Sequence, residues 1–127
     1  MTTRPGMNVE EHVQAALEFL EHSDREFEAG DTMQGSEKLW GAASHAVTAI
    51  AKQRGWAFSK YNHHRNAVRR LAEEYQDDSL SSGYFAALQF HANFYHDTME
   101  DDVIEDGRPM VHNFVRRIVG MVEEPSA

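Results

Sequence analysis

The chain has 127 residues, of which 41% are apolar and 26% charged, which suits one globular domain with a single core. It has no cysteine, so disulfides and thiolate metal sites are excluded, and its apolar runs are far too short to span a bilayer. The net charge of −9 repels phosphate backbones unless the basic residues are segregated. They are partly segregated: six of the twelve Lys and Arg residues fall between Lys52 and Arg70.

Residues 1–7 (MTTRPGM) read as a loose tail without the apolar stretch of a signal peptide, and the expected location is the cytoplasm. A first helix is predicted from the N-cap Asn8 to Ala29, with Val9, Val13, Ala16, Leu17, Leu20 and Phe27 on one face. Gly30 closes it. Asp31 with Gln34 has the form of a capping box for a second helix that ends near Gly55. Gly35, Gly41, Ala42, Ala43 and Ala46 make that helix thin, which lets neighbours approach and places it at the centre. After a turn carrying Trp56 and Phe58, a third helix is predicted over 60–75. Asp77-Asp78-Ser79 breaks it. A fourth helix runs from Ser79 or Ser82 to Met99 and is apolar over much of its circumference, which predicts burial on two sides, within the bundle or in a dimer. Gly107 and Pro109 predict an interruption: a short helix over 101–105, then a last one over 108–122. The expected fold is therefore all-α, with one domain over 8–123 and a C-terminal tail over 124–127.

Three blocks carry a family resemblance: Glu37-Lys38-Leu39-Trp40-Gly41-Ala42-Ala43 with Arg54-Gly55-Trp56, then His64-Arg65, then Phe90-His91-Ala92-Asn93-Phe94-Tyr95. In order and spacing the chain resembles the PaREP1 family, a branch of the HEPN-like helical domains, over about residues 8–122. The resemblance implies an up-and-down bundle of four long helices plus a short helical segment before the last, usually paired as a homodimer. It also implies association with nucleotides or RNA, with toxin–antitoxin systems, and with a partner nucleotidyltransferase. HEPN ribonucleases carry an Arg followed after four to six residues by a His. Here Arg108 and His112 are separated by three, so ribonuclease activity is not carried over.

Four constellations could carry chemistry. The basic turn places Arg54, Trp56, Lys60, His63, His64 and Arg65 close in sequence, a mixture of cations and rings that suits phosphates and stacked bases. The competing reading has Trp56 and Phe58 plugging the core, with Arg69 and Arg70 paired to Glu73 and Glu74. A polar set, Glu37, Lys38, His91, Asn93 and Tyr95 with His45 and His64, could meet beneath Trp40 as a cleft or as a buried hydrogen-bond network. The eight histidines lack the i, i+4 pairs of a helical metal site, and no metal or other cofactor is expected, although His64, His91 and His96 could converge across helices. The acidic run 100–106 lacks the spacing of a calcium loop and reads as a favourable helix N-terminus. A non-catalytic, dimeric binding module is the leading expectation. A hydrolase using Arg108 and His112, and a purely structural partner subunit, are the alternatives.

Overall fold

The computed structural model of the chain describes residues 6–124. The expected tails at 1–7 and 124–127 lie mostly outside them. The described residues form five helices and no strand: α1 (Val9–Glu28), α2 (Thr32–Arg54), α3 (Tyr61–Glu74), α4 (Ser79–His96) and α5 (Asp101–Glu123).

The helix ends follow local chemistry. Asn8 Oδ1 accepts the Glu11 amide at 2.8 Å, and Glu11 returns the bond to the Asn8 amide at 2.9 Å, so two otherwise orphaned donors are satisfied. Asp31 Oδ1 accepts the Gln34 amide at 3.0 Å and opens α2. Gly30 (φ +84°) and Gly55 (φ +74°) take the left-handed conformation that ends α1 and α2.

As the small residues predicted, α2 packs against all four other helices. Leu39, Ala42, Ala43, Ala46, Val47, Ala49, Ile50 and Ala51 are fully buried along it. Leu20 from α1, Leu71 from α3, Phe90 from α4 and Val111, Val115 and Ile118 from α5 complete the core.

The predicted break before the last helix is absent. Asp101–Glu123 is one helix with Pro109 inside it, so the short segment and the final helix are continuous. Pro109 deprives the Glu105 carbonyl of its helical donor, but both residues are exposed, so the lost bond falls on the solvent side of the helix. Burial of Ile104 and Gly107 before the proline, and of Val111 and Phe114 after it, holds the helix together. Gly107 is a packing residue rather than a breaker: a Cβ there would sit 3.0 Å from the Phe90 ring. α4 also stops earlier than expected, at His96, where Asp97 adopts φ +51°. The fully buried Asn93 organises this turn, accepting the Met99 amide at 2.8 Å and donating to Ser36 Oγ at 3.1 Å.

Candidate functional site

Trp40, Ser44 and Thr48 recur every four residues on α2 and so share one face of the helix. The turn 58–60 and the start of α3 close over this face, leaving a cleft of about 340 Å³ lined by these three residues with Phe58, Ser59, Lys60, Tyr61 and His64. Trp40 forms a nearly buried floor, while Tyr61 and Phe58 expose ring surface at the rim. Lys60, which precedes the first turn of α3, brings a cation to the same opening. Beside it, a second hollow of about 370 Å³ shares Trp40 and Ser44 and adds Glu37, Lys38 and His45. A larger groove of about 1070 Å³ runs along α1 past Val9, Val13, Gln53 and Val122. Its only charged lining residues are glutamates and it holds no ring, so it lacks what a recognition site for a polar aromatic ligand needs.

Behind the cleft, the rings form a continuous stack. The His91 imidazole lies against Trp40 with centroids 4.7 Å apart and planes 26° from parallel. Tyr95 meets His91 edge-on at 5.4 Å. Tyr61 Oη is 2.8 Å from His91 Nε2, and the Glu37 carboxylate is 3.7 Å from His91 Nδ1. The carboxylate favours the proton on Nδ1, which leaves Nε2 to accept from the Tyr61 hydroxyl. At that distance the two groups do not hydrogen-bond, and Glu37 Oε2 and His91 Nδ1 are both buried without a hydrogen-bond partner.

His64 is buried and donates from Nε2 to the Phe58 carbonyl at 2.8 Å, with Thr48 Oγ1 at 3.3 Å. Its Nδ1 is buried without a partner. A second proton has nowhere to go, so burial holds the His64 pKa below that of free imidazole, and neighbouring His63 pushes the same way against the opposing Phe58 carbonyl. Where α1 packs on α2, His12 Nδ1 and His45 Nδ1 are 2.9 Å apart, with His45 stacked on Phe19. Burial lowers both of their pKa values; Lys52 adds to the effect at His12, and His12 adds to it at His45.

The structure divides the basic turn. Lys60 and His64 line the cleft. His63 Nδ1 accepts the Lys60 amide at 3.2 Å and so covers the N-terminus of α3. Arg54 and Trp56 lie elsewhere, where Arg54 pairs with Glu74 at 2.7 Å and Arg70 covers the Trp56 ring at 4.1 Å. Glu74 therefore serves Arg54 rather than Arg70, and its carboxylate holds the Arg54 pKa above the usual guanidinium value. Arg65 lines a separate groove between α3 and α4. Of the predicted polar set, Glu37, His91 and Tyr95 meet around Trp40, and Lys38 borders the neighbouring hollow. Asn93 is committed to Ser36 and Met99. Ser44 and Thr48 were not singled out from the sequence, although their spacing from Trp40 was the available signal. Among the described residues, no group of three or more His, Asp or Glu side chains is placed to hold a metal ion, so His64, His91 and His96 do not converge.

Arg108 and His112 do meet, through a residue the sequence did not suggest. Asp24 Oδ1 accepts from Arg108 Nη2 at 2.9 Å and from His112 Nε2 at 3.0 Å. The Arg108 guanidinium also lies 4.4 Å from the centre of the Phe27 ring.

No described helix is long and apolar enough to cross a membrane. No curated protein and no solved structure matches the chain. The model of the Archaeal PaREP1/PaREP8 family matches residues 11–115, most of the chain, and the protein belongs to that family.

Proposed function

We propose that the protein is a non-catalytic, HEPN-like helical module that works as a homodimer and binds a nucleotide or a short stretch of RNA in the cleft between α2 and the start of α3. The observation that carries this reading is the composition of that cleft: two partly exposed rings, a lysine and three hydroxyl groups over a tryptophan floor. Rings accept the π-face of a base, and stacking contributes about 1–3 kcal/mol per base. Lys60 supplies the charge for a phosphate. Ser44, Ser59 and Thr48 offer donors and acceptors to sugar and base edges. The basic contribution is one local cation rather than a stripe, which favours a small ligand or a few nucleotides over a long duplex. Calorimetric titration with 5′-mononucleotides and a short single-stranded RNA, at low and high salt, tests it. Tyr61→Ala and Lys60→Glu should each weaken binding tenfold or more. Absence of binding to both ligands, or binding indifferent to both substitutions, discards the cleft.

A second reading, hydrolysis of RNA by Arg108 and His112, is favoured by one observation: Asp24 orients both side chains with a single oxygen. A carboxylate that fixes an imidazole is a common arrangement for a general base. RNA cleavage by the purified protein that disappears in His112→Ala would establish it. Absence of cleavage leaves the cluster as a tie between α1 and α5.

A further inference from the structure

A hydroxyl has one proton, and once that proton is committed inside the protein the group can only accept from a ligand. Two hydroxyls that line the α2–α3 cleft, those of Thr48 and Tyr61, are committed in this way. Thr48 Oγ1 donates to the Ser44 carbonyl one turn back along α2, at 2.8 Å. Tyr61 Oη lies 2.8 Å from His91 Nε2, and the tautomer of His91 fixes the direction of that bond. The buried Nδ1 of His91 faces the Glu37 carboxylate at 3.7 Å. A lone pair there would be repelled, so Nδ1 carries the proton and Nε2 accepts from Tyr61.

The backbone adds a third acceptor. His64 Nε2 is 2.8 Å from the Phe58 carbonyl, so Nε2 bears the hydrogen and the carbonyl oxygen keeps a second lone pair. The same N–H leans on Thr48 Oγ1 at 3.3 Å, in keeping with an oxygen whose own proton is turned away. Phe58 lines the cleft with Thr48 and Tyr61. The Ser44 and Ser59 hydroxyls are rotors that donate or accept as a ligand demands. Trp40 offers one indole N–H to a ring nitrogen or carbonyl of a base, and Lys60 brings its cation to the opening. The polar groups with a fixed sense inside the cleft are therefore mainly lone pairs.

We infer that the cleft selects bases that carry an exocyclic amino group, with the Thr48 and Tyr61 hydroxyls as the selecting acceptors. This rests on the nucleotide-binding reading of the same cleft and adds to it the edge of the base that is read. A base that enters past the Phe58 and Tyr61 rings turns its edge toward Thr48. The amino group of adenine, cytosine or guanine then supplies the hydrogens that these oxygens lack. Uracil and hypoxanthine present a carbonyl where the amino group stands, which sets lone pair against lone pair. Selection comes from that repulsion as much as from the bond gained.

Calorimetric titration with the 5′-monophosphates of adenosine, purine riboside, cytidine and uridine tests this, with circular dichroism to verify that each variant is helical. Purine riboside differs from adenosine only in lacking the amino group. The adenosine nucleotide should bind about tenfold more tightly than the purine riboside nucleotide, and the cytidine nucleotide should exceed the uridine nucleotide by at least as much. Thr48→Val preserves the shape of the side chain and removes its oxygen. It should bring the adenosine nucleotide down to the affinity of the purine riboside nucleotide and leave the latter unchanged within about twofold. Tyr61→Phe keeps the stacking ring, should act in the same direction, and serves if the valine variant does not fold. A role of Thr48 in structure alone would weaken both ligands together, and that result overturns its part in selection. Equal binding of the adenosine and purine riboside nucleotides, or a preference that survives in Thr48→Val/Tyr61→Phe, overturns the selection and leaves the nucleotide-binding reading intact. Binding of none of the four discards that reading and the selection with it.

Discussion

The contact between α4 and α5 at Gly83 is a direct test of how this bundle is packed. Gly83 is buried in α4, and a Cβ added there would lie 2.6 Å from Phe114 Cβ, 3.0 Å from Cδ1 and 3.1 Å from Cγ. The nearest atom is a Cβ, which no rotamer change moves, so Gly83→Ala must displace one helix. Overpacking of this kind costs about 1–3 kcal/mol. The closeness of two backbone-anchored carbons places this site toward the upper end. Against that stands a gain of about 1 kcal/mol, because alanine is the better helix former. The net expectation is a loss of about 1–2 kcal/mol, or roughly 3–8 °C in Tm for a domain of this size. Gly120→Ala is the control, since a Cβ at Gly120 meets nothing within 4 Å. It carries the propensity gain alone and should raise stability by up to about 1 kcal/mol. Urea denaturation followed by circular dichroism reads both. A Gly83→Ala protein as stable as the Gly120→Ala protein would refute the close approach of α4 to α5 on which this part of the core depends.

Three further outcomes follow from named contacts. Asn93→Ala removes two bonds from a fully buried side chain and strands the Ser36 hydroxyl and the Met99 amide, so urea unfolding should show a loss of about 2–4 kcal/mol. Asn8→Ala opens the capping box of α1 and should cost about 1 kcal/mol in the same assay, with faster amide exchange in the first turn. The folded-state pKa values of His12, His45 and His64 lie below the ordinary 6.5, so the unfolded chain takes up protons first as pH falls. Stability should therefore decline on acidification through that value and level off once the folded-state values are passed. His64→Gln, which retains a donor for the Phe58 carbonyl but cannot titrate, should flatten part of that decline. A Tm profile identical to that of the wild type would remove His64 from the account.

The amino-acid sequence by itself determined the helices and their order. Apolar residues recur at helical spacing, and Asn8, Asp31, Gly30 and Gly55 carry local signals strong enough to mark helix ends without reference to any neighbour. The run of small residues in α2 likewise announced a central helix, because side-chain volume is a property of the residue alone. Gly107 and Pro109 misled for the opposite reason. Whether they break a helix depends on the Phe90 ring seated against Gly107 and on the solvent beside Pro109, and neither is local. The site was decided in the same way. Arg54, Lys60 and Arg65 are close in sequence, yet the turn and the 3.6-residue period send them to three different surfaces. His91 joins Glu37 and Tyr61, 54 and 30 positions away, only because α2, α3 and α4 pack side by side. Spacing along a chain specifies which face of one helix a residue occupies. Which faces then oppose one another is settled by the packing of whole helices.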